Sequence, residues 1–128
     1  MGKRKKLYSL YLKEKKKKEI FSLYRKLRIT SRKVRNYTNL IKGKNLEEAI
    51  NILENFLNYK IANILKKLIL SAFANYKYKI LDKKKKKNLY IKNIIVNNFK
   101  IKKKIKYCAQ GRIGIIRKKY CNIKLEIK

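Results

Sequence analysis

The chain has 128 residues, of which 39 are Lys or Arg and 7 are Asp or Glu, so its formal net charge is +32. This length fits one domain, and 45% hydrophobic residues are too many for a disordered basic tail. Like charges at this density repel one another in a compact state, so we expect a polyanionic partner, for which nucleic acid fits best. With no histidine and few carboxylates, we predict no enzyme activity, metal site or cofactor.

Residues 1–22 are predicted to form a basic N-terminal extension. Leucines and tyrosines at 7–12 allow one apolar helical face, whereas the lysine run at 15–18 would be disordered in isolation. The extension resembles neither a secretory signal nor an Arg- and Ser-rich transit peptide. The longest uncharged apolar stretch, 68–76, is far shorter than the roughly 20 residues of a membrane-spanning helix, so we predict no membrane span.

Residues 23–128 are predicted to form a single domain that begins with an edge strand over 23–29. Thr30 and Ser31 can then cap a helix, for which Gly43 is the expected stop. Apolar residues at three- and four-residue steps predict the buried face of this helix: Val34, Tyr37, Leu40 and Ile41.

Two further helices are predicted before a charged loop at 82–87. Asn45 and Glu48 resemble a capping box at the start of the first. Its predicted buried stripe is Leu46, Ala49, Ile50, Leu53 and Leu57. It also carries three acidic residues, Glu47, Glu48 and Glu54, so we expect it to face away from a polyanion. The second helix, from about 59 to 78, carries the main core stripe: Ile61, Leu65, Leu68, Ile69, Ala72 and Tyr76.

A strand over 89–98 is predicted to run into a long β-hairpin at about 96–118. Apolar residues alternate with lysines from Phe99 to Tyr107, interrupted by Lys103, and a second alternation follows the glycine-containing reversal. The distal half carries too many lysines for burial in a protein core. Cys108 and Cys121, placed on one arm, lie too far apart for a disulfide, so we expect free thiols.

The order of strand, three helices and two long strands predicts an α+β fold, with three helices packed on a small antiparallel sheet from which a long β-hairpin protrudes. Residues 29–35 read Ile-Thr-Ser-Arg-Lys-Val-Arg. Five more segments follow in order: Leu40–Lys44, Glu48–Ala49 with Ile52–Leu53, Ser71–Asn75, Asn88–Ile91 and Ala109–Arg112. Together these segments resemble the bacterial and plastid large-subunit ribosomal protein L twenty-two family, whose opening Ile-Ser-Pro-Arg-Lys-Val-Arg is similar to residues 29–35.

The resemblance runs from about Leu23 to the C-terminus and implies a structural constituent of the large ribosomal subunit. Its implied partners are large-subunit rRNA, neighbouring large-subunit proteins and the nascent peptide, because the family's hairpin lines the peptide exit tunnel. Ala109–Arg112 and Cys121 before Asn122 look most like plastid forms. An organelle-encoded chain in a plastid ribosome, including that of a reduced non-photosynthetic plastid, is therefore expected.

Cations in the first turns of the helix after residue 30 oppose its dipole, which favours phosphate contact as their role. Together with positions carried over from the resemblance, the predicted rRNA-binding residues are Arg32, Lys33, Arg35, Lys42, Lys44, Lys100, Lys102, Lys103, Lys104, Lys106, Gln110, Arg112, Arg117, Lys118 and Lys119. The predicted tunnel tip is Lys102, Lys103, Lys104, Ile105, Lys106 and Tyr107.

The chain departs from the family pattern at four places. The family usually has Gly-Pro at Phe99-Lys100, a proline at Tyr107, an arginine at Cys108 and a histidine at Asn122. Without the prolines we expect a less stiffly bent hairpin. Tyr107 and Tyr120 are available either to stack on unpaired bases or to pack across strands. The alternative function that composition leaves open is a DNA-compacting architectural protein of an organelle.

Overall fold

A computed structural model describes residues 2–18, 20–57, 59–79 and 88–128. These residues form four α-helices, three strands and one 3₁₀ turn. The elements in chain order are α1 (Lys3–Lys18), β1 (Ile20–Leu27), α2 (Ser31–Ile41), α3 (Leu46–Glu54), α4 (Tyr59–Lys79), β2 (Ile91–Tyr107), the tip turn (Ala109–Gly111) and β3 (Ile113–Ile127). The α+β prediction is confirmed, with a fourth helix, α1, ahead of the three predicted ones. The predicted loop at 82–87 lies outside the described residues.

β3 is the central strand of an antiparallel sheet with the order β1-β3-β2. β1 pairs with β3 from Ile20 opposite Ile127 as far as Leu27 opposite Cys121. The strand therefore begins inside the stretch predicted as an extension and ends two residues before the predicted limit. β2 and β3 continue past this point as a two-stranded ribbon, residues 98–121, which we call the finger.

Helices α2 and α4 pack on the sheet, α3 packs against α4 and α2, and the three helices enclose the core. Cys121, Ile123, Leu125 and Ile127 of β3 are buried at alternate positions, as expected for a strand with one face on a core. The stripe predicted on α4 is confirmed, because its six members are buried or half-buried in this core. β3 residues beyond Cys121 toward the turn are more exposed, so the body of the protein ends where the finger begins.

The helices α2 and α3 start where predicted, but the predicted side-chain caps are wrong. Thr30 and Asn45 hold the N-cap positions with extended backbone, and neither side chain bonds to a helix amide. Instead, the backbone of Asn45 forms a β-bridge with Tyr90. The Ser31 hydroxyl donates to the side-chain oxygen of Asn98 on β2. Tertiary contacts therefore fix both helix starts.

The prediction that Leu40 and Leu57 are buried is wrong. Leu40 is 50% exposed because the buried positions of α2 are Val34, Thr38 and Ile41. Leu57 is 98% exposed because α3 ends at Glu54, before the next apolar position is reached.

Gly43 is confirmed as the stop of α2, because it lies directly after the C-cap residue Lys42 and has a φ of 79°, in the left-handed region that favours glycine. The placement of both cysteines on one arm is wrong, because Cys108 follows β2 whereas Cys121 lies in β3. Both are free thiols; Cys108 is exposed and Cys121 is buried. None of the helices within the described ranges is long and apolar enough to span a membrane.

Candidate nucleic-acid interface

The finger extends well beyond the body. From Asn98 to Tyr107 the paired strand advances nine residues, which at about 3.3 Å per residue is about 30 Å. A β-bulge lies at its base, because Asn98 pairs with Cys121 and Lys100 with Tyr120, leaving Phe99 as an extra residue. Bulges bend and twist a strand. This one gives the base of the finger a bending device in a chain that contains no proline.

Cations face each other across the middle of the finger. Lys102 is paired with Lys118, and Lys103 with Arg117 on the opposite face. Like charges directly opposite one another destabilise an antiparallel pair. The sequence contains no Asp or Glu between residues 98 and 121. The finger therefore needs anions from outside the protein to neutralise its charge.

The chain reverses at Cys108–Arg112, where Gln110 and Gly111 both have positive φ, at 60° and 68°. The Cys108 N–H donates to the Arg112 carbonyl at 2.9 Å and closes the turn. Gln110 and Arg112 are exposed there. The predicted tip, residues 102–107, is the end of β2 leading into this turn.

Exposed apolar side chains adjoin the turn. Ile105 is paired with Ile115 and Tyr107 with Ile113, and all four are more than half exposed. The predicted tip thus has a cationic part, Lys102 to Lys104, in the middle of the finger and a largely apolar part next to the turn.

The two tyrosines of the finger have different surroundings. Tyr107 is 83% exposed. The Lys102 Nζ lies 5.9 Å from the ring centroid of Tyr120, within the range of a cation–π contact. Cross-strand packing therefore accounts for Tyr120, whereas the ring of Tyr107 is open to a partner.

The cations predicted on and after α2 fall into two groups. Arg32 and Lys33 lie in the first turn of α2, while Lys42 and Lys44 follow its last turn. Nine residues at 1.5 Å each separate Lys33 from Lys42 by about 14 Å along the helix. The guanidinium of Arg35 donates to the Val96 carbonyl at 2.8 Å, so part of its role is to hold α2 against β2.

A cleft of about 310 Å³ lies where β1, α2 and β3 meet at the base of the finger. Its lining residues are Arg28, Ile29, Thr30, Lys33, Lys118 and Lys119. The structure thus brings together three of the predicted rRNA-binding lysines from two separate segments. Arg28 was missed, because no sequence pattern indicates that the end of β1 approaches β3 here.

An electrostatic signature accompanies this cleft. The pKa of Lys118 is lowered, first by the charge of Arg28, then by that of Lys104, and last by slight desolvation. A second cleft, of about 290 Å³ between α3 and α4, differs because it contains the Lys66–Glu54 salt bridge. Of these two clefts, only the one at the base of the finger has a wholly cationic set of charged lining residues.

This architecture, an α+β body carrying a long cationic ribbon, defines a protein class that binds folded nucleic acid. Residues 22–128 match the family described as ribosomal protein L22p/L17e. Because the match covers well over half of its length, the chain belongs to the ribosomal protein L22p/L17e family.

Individual relatives agree with this assignment. The chain is 40% identical over 104 residues to the large ribosomal subunit protein uL22 of Bdellovibrio bacteriovorus, covering 79% of this chain and 91% of the relative. It is 38% identical over 104 residues to the large ribosomal subunit protein uL22c of Gracilaria tenuistipitata, covering 79% and 85%. Identity to the uL22c of Jasminum nudiflorum is 33% over 114 residues, covering 89% and 72%.

Proposed function

We propose that this protein is a structural, non-enzymatic constituent of the large ribosomal subunit and binds large-subunit rRNA. The observation that carries the proposal is the acid-free finger, whose opposed cations require external anions, on a chain that belongs to a ribosomal protein family. Docking proceeds by neutralisation of phosphates and release of their counterions. Family membership favours this function over DNA compaction.

The contacts with rRNA are proposed to come from the finger, from Arg32 and Lys33 on α2, and from the separate Lys42–Lys44 turn. Glu47 and Glu48 support an orientation, because they are exposed at the start of α3 and would repel phosphate. We therefore propose that α3 faces solvent or neighbouring large-subunit proteins.

The finger is proposed to reach inward so that its tip lines the nascent-peptide exit tunnel. Its length of about 30 Å supports this, since the tip lies far from the body's own rRNA contacts. The exposed apolar residues Ile105, Tyr107 and Ile113 support it too, because such side chains suit a peptide-facing wall better than a phosphate contact. A photo-crosslinker at Tyr107 should capture a stalled nascent chain, whereas one at Lys100 should capture rRNA. Capture of no peptide from Tyr107 would contradict the tunnel placement.

The N-terminal extension is proposed to add a further rRNA contact. α1 lies outside the family match and contains nine Lys or Arg residues and one Glu. Its side chains at 7, 8 and 11 are more than half exposed, so these positions are open to a partner. Deletion of residues 1–18 should weaken rRNA binding and leave β1 and the core intact.

We further propose that the ribosome is that of a plastid. Support comes from the plastid-like Ala109–Arg112 segment and Cys121–Asn122, while relatives of both kinds have similar identity to this chain. Mass spectrometry of ribosomes from purified plastids should find the chain in the large subunit. Its recovery from ribosomes of another compartment alone would contradict the plastid assignment and leave the ribosomal function intact.

The ribosomal function itself is tested by binding and sedimentation. The full chain should sediment with large subunits, and log affinity for large-subunit rRNA should fall linearly with log salt concentration. Random duplex DNA of matched length is the control ligand. Equal affinity for both nucleic acids, with no sedimentation with ribosomes, would contradict the proposal and favour DNA compaction.

A further inference from the structure

We propose that the cleft at the base of the finger, lined by Arg28, Thr30, Lys33, Lys118 and Lys119, holds one backbone phosphate of RNA. The inference rests on the proposed rRNA-binding function and deepens it by assigning a defined phosphate site. It adds Arg28 to the binding residues and makes this cleft, rather than the finger alone, a fixed point of docking.

The backbone brings the cleft residues together. Tyr24 pairs with Ile123 and Leu27 with Cys121, so two residues of β1 oppose one of β3 and form a β-bulge. The bulge contains Lys26, whose φ is 59° and whose N–H donates to the Asn122 side-chain oxygen at 2.9 Å.

Pairing between β1 and β3 stops directly after the bulge. Arg28 leaves the sheet there, while the edge of β3 at Lys118 and Lys119 has lost its β1 neighbour. Thr30, just before α2, and Lys33, in its first turn, line the remaining side of the cleft. Two separate segments of the chain, 28–33 and 118–119, thus converge on one opening.

The charges in the cleft are uncompensated within the described residues that line it. Arg28 and Lys104 act on Lys118 strongly enough to lower its pKa, so protonation of this amine costs more than it does for an isolated lysine. A bound phosphate reverses that cost by placing negative charge between the cations. Arg28 offers a planar guanidinium that matches two phosphate oxygens, and the lysines add point charges.

The start of α2 contributes to the same opening. Thr30 makes no side-chain cap, and the Ser31 hydroxyl is engaged by Asn98, so neither side chain occupies the first amides of this eleven-residue helix. Amides at a helix start carry partial positive charge and bind anions well. The helix start therefore reinforces a cleft that the cations already define.

The main test measures how rRNA binding by the full chain depends on salt. Arg28→Gln and Lys118→Gln should each weaken binding to large-subunit rRNA roughly tenfold, since each loses a charge-assisted hydrogen bond. The fold loss in affinity of the double variant should be smaller than the product of the two single losses, because both residues are proposed to contact the same phosphate. Its slope of log affinity against log salt should fall by about 1.

The matched control is Lys60→Gln with Lys67→Gln, two exposed positions on α4. This double variant removes the same net charge as the cleft double variant. It should reduce affinity by less than about threefold, because salt screens the attraction between distant exposed charges and the RNA. Lys118→Arg, unlike Lys118→Gln, should bind rRNA about as tightly as the unaltered chain, because arginine keeps the positive charge. Equal losses in the cleft and control doubles would overturn the site, since net charge alone would then explain binding.

A second measurement uses the unaltered chain and so does not depend on the folding of a variant. Trace labelling with acetic anhydride near neutral pH should modify Lys118 faster than Lys60 in the free chain, because a lowered pKa leaves more neutral amine. Saturation with large-subunit rRNA should slow labelling of Lys118 more than that of Lys60. Unchanged labelling of Lys118 in a bound chain would overturn the cleft site alone. A chain that fails to bind this rRNA at all would overturn the proposed function instead.

Discussion

At the scale of single residues, Asn122 holds the bulge in β1. Its side-chain oxygen accepts the Lys26 N–H at 2.9 Å. An asparagine oxygen can only accept there, which suits an amide that the bulge removes from the β-ladder.

Replacing Asn122 tests this role. Asn122→Ala should lower the free energy of unfolding by about 1 kcal/mol, the usual net value of one hydrogen bond at a site that water can reach. Urea denaturation measures the change. Asn97→Ala, at an exposed position on β2, is the control and should have a smaller effect. Equal effects of the two substitutions would show that the Lys26–Asn122 contact adds nothing to stability.

The two cysteines should differ sharply in reactivity. Cys108 is exposed beside the turn, whereas Cys121 is completely buried and burial raises its pKa from the ordinary value of 9.0. A thiol reagent at pH 8 should label Cys108 in the folded chain and Cys121 only after unfolding. Mass spectrometry of a Cys108→Ser variant isolates Cys121, and its rapid labelling in the folded state would contradict the burial.

The raised pKa of Cys121 also sets the direction of a pH effect. Because the folded-state pKa lies above the unfolded one, the protonated thiol contributes stability that is fully present below pH 9.0. This contribution is lost as pH rises through the folded-state pKa, since only the unfolded thiol ionises easily.

At the scale of elements, opposed cations weaken the pairing within the finger, and the finger is proposed to bind phosphate outside the protein. Lys103→Glu would place a carboxylate opposite Arg117 and should stabilise the free chain by about 0.2–1 kcal/mol. The same substitution should weaken rRNA binding, because it adds a negative charge to a ribbon that is proposed to face phosphate. Urea denaturation and rRNA titration would measure the two effects.

Lys103→Gln is the matched control, since it removes the repulsion without adding an opposite charge. Its effects on stability and binding should have the same signs and smaller sizes. A Lys103→Glu chain that binds rRNA as well as the unaltered chain would show that this part of the finger does not contact phosphate.

The periodic elements could be predicted from the sequence because burial on one face imposes a repeat. The α4 stripe and the alternation of β3 follow that rule directly. The missing side-chain cap at Asn45 could not be predicted, because a β-bridge to Tyr90, distant in sequence, sets its conformation. The end of α3 before Leu57 could not be predicted either, because the apolar spacing continues unchanged to Leu57.

The candidate site divides in the same way. The location of the finger lysines on a long hairpin was predicted because they alternate with apolar residues along a strand. Arg28 was not, since its place depends on a bulge two residues earlier and on where β1 stops pairing. The contact by which Arg35 holds α2 against Val96 could not be predicted either. The sequence near a helix start does not show whether a cation there contacts a phosphate or a backbone carbonyl.

At the scale of the whole molecule, charge sets the stability. The chain has a net charge of +32. Among the described residues there are only two salt bridges, Lys66 with Glu54 and Lys124 with Glu126. Such surface pairs contribute little individually. Self-repulsion should therefore leave the chain marginally stable without RNA.

Salt should stabilise the free chain against heat. We expect the Tm to rise when ionic strength increases from about 0.01 M to about 0.15 M, because the screening length falls from about 30 Å to about 8 Å. Bound rRNA should raise the Tm further, since it binds the folded state. Calorimetry would measure the Tm, and sucrose, an uncharged solute, would separate charge screening from other effects of an added solute. Cooperative melting at high temperature in low salt would contradict the expected marginal stability.

The most direct measurement is a density map of the intact large subunit that contains this chain. We expect sugar-phosphate backbone on both faces of the finger, beside Lys102, Lys103 and Arg117, with the body on the outer surface of the particle. A map with the finger in open solvent, or with protein alone around these three residues, would contradict the proposal that the finger is neutralised by rRNA.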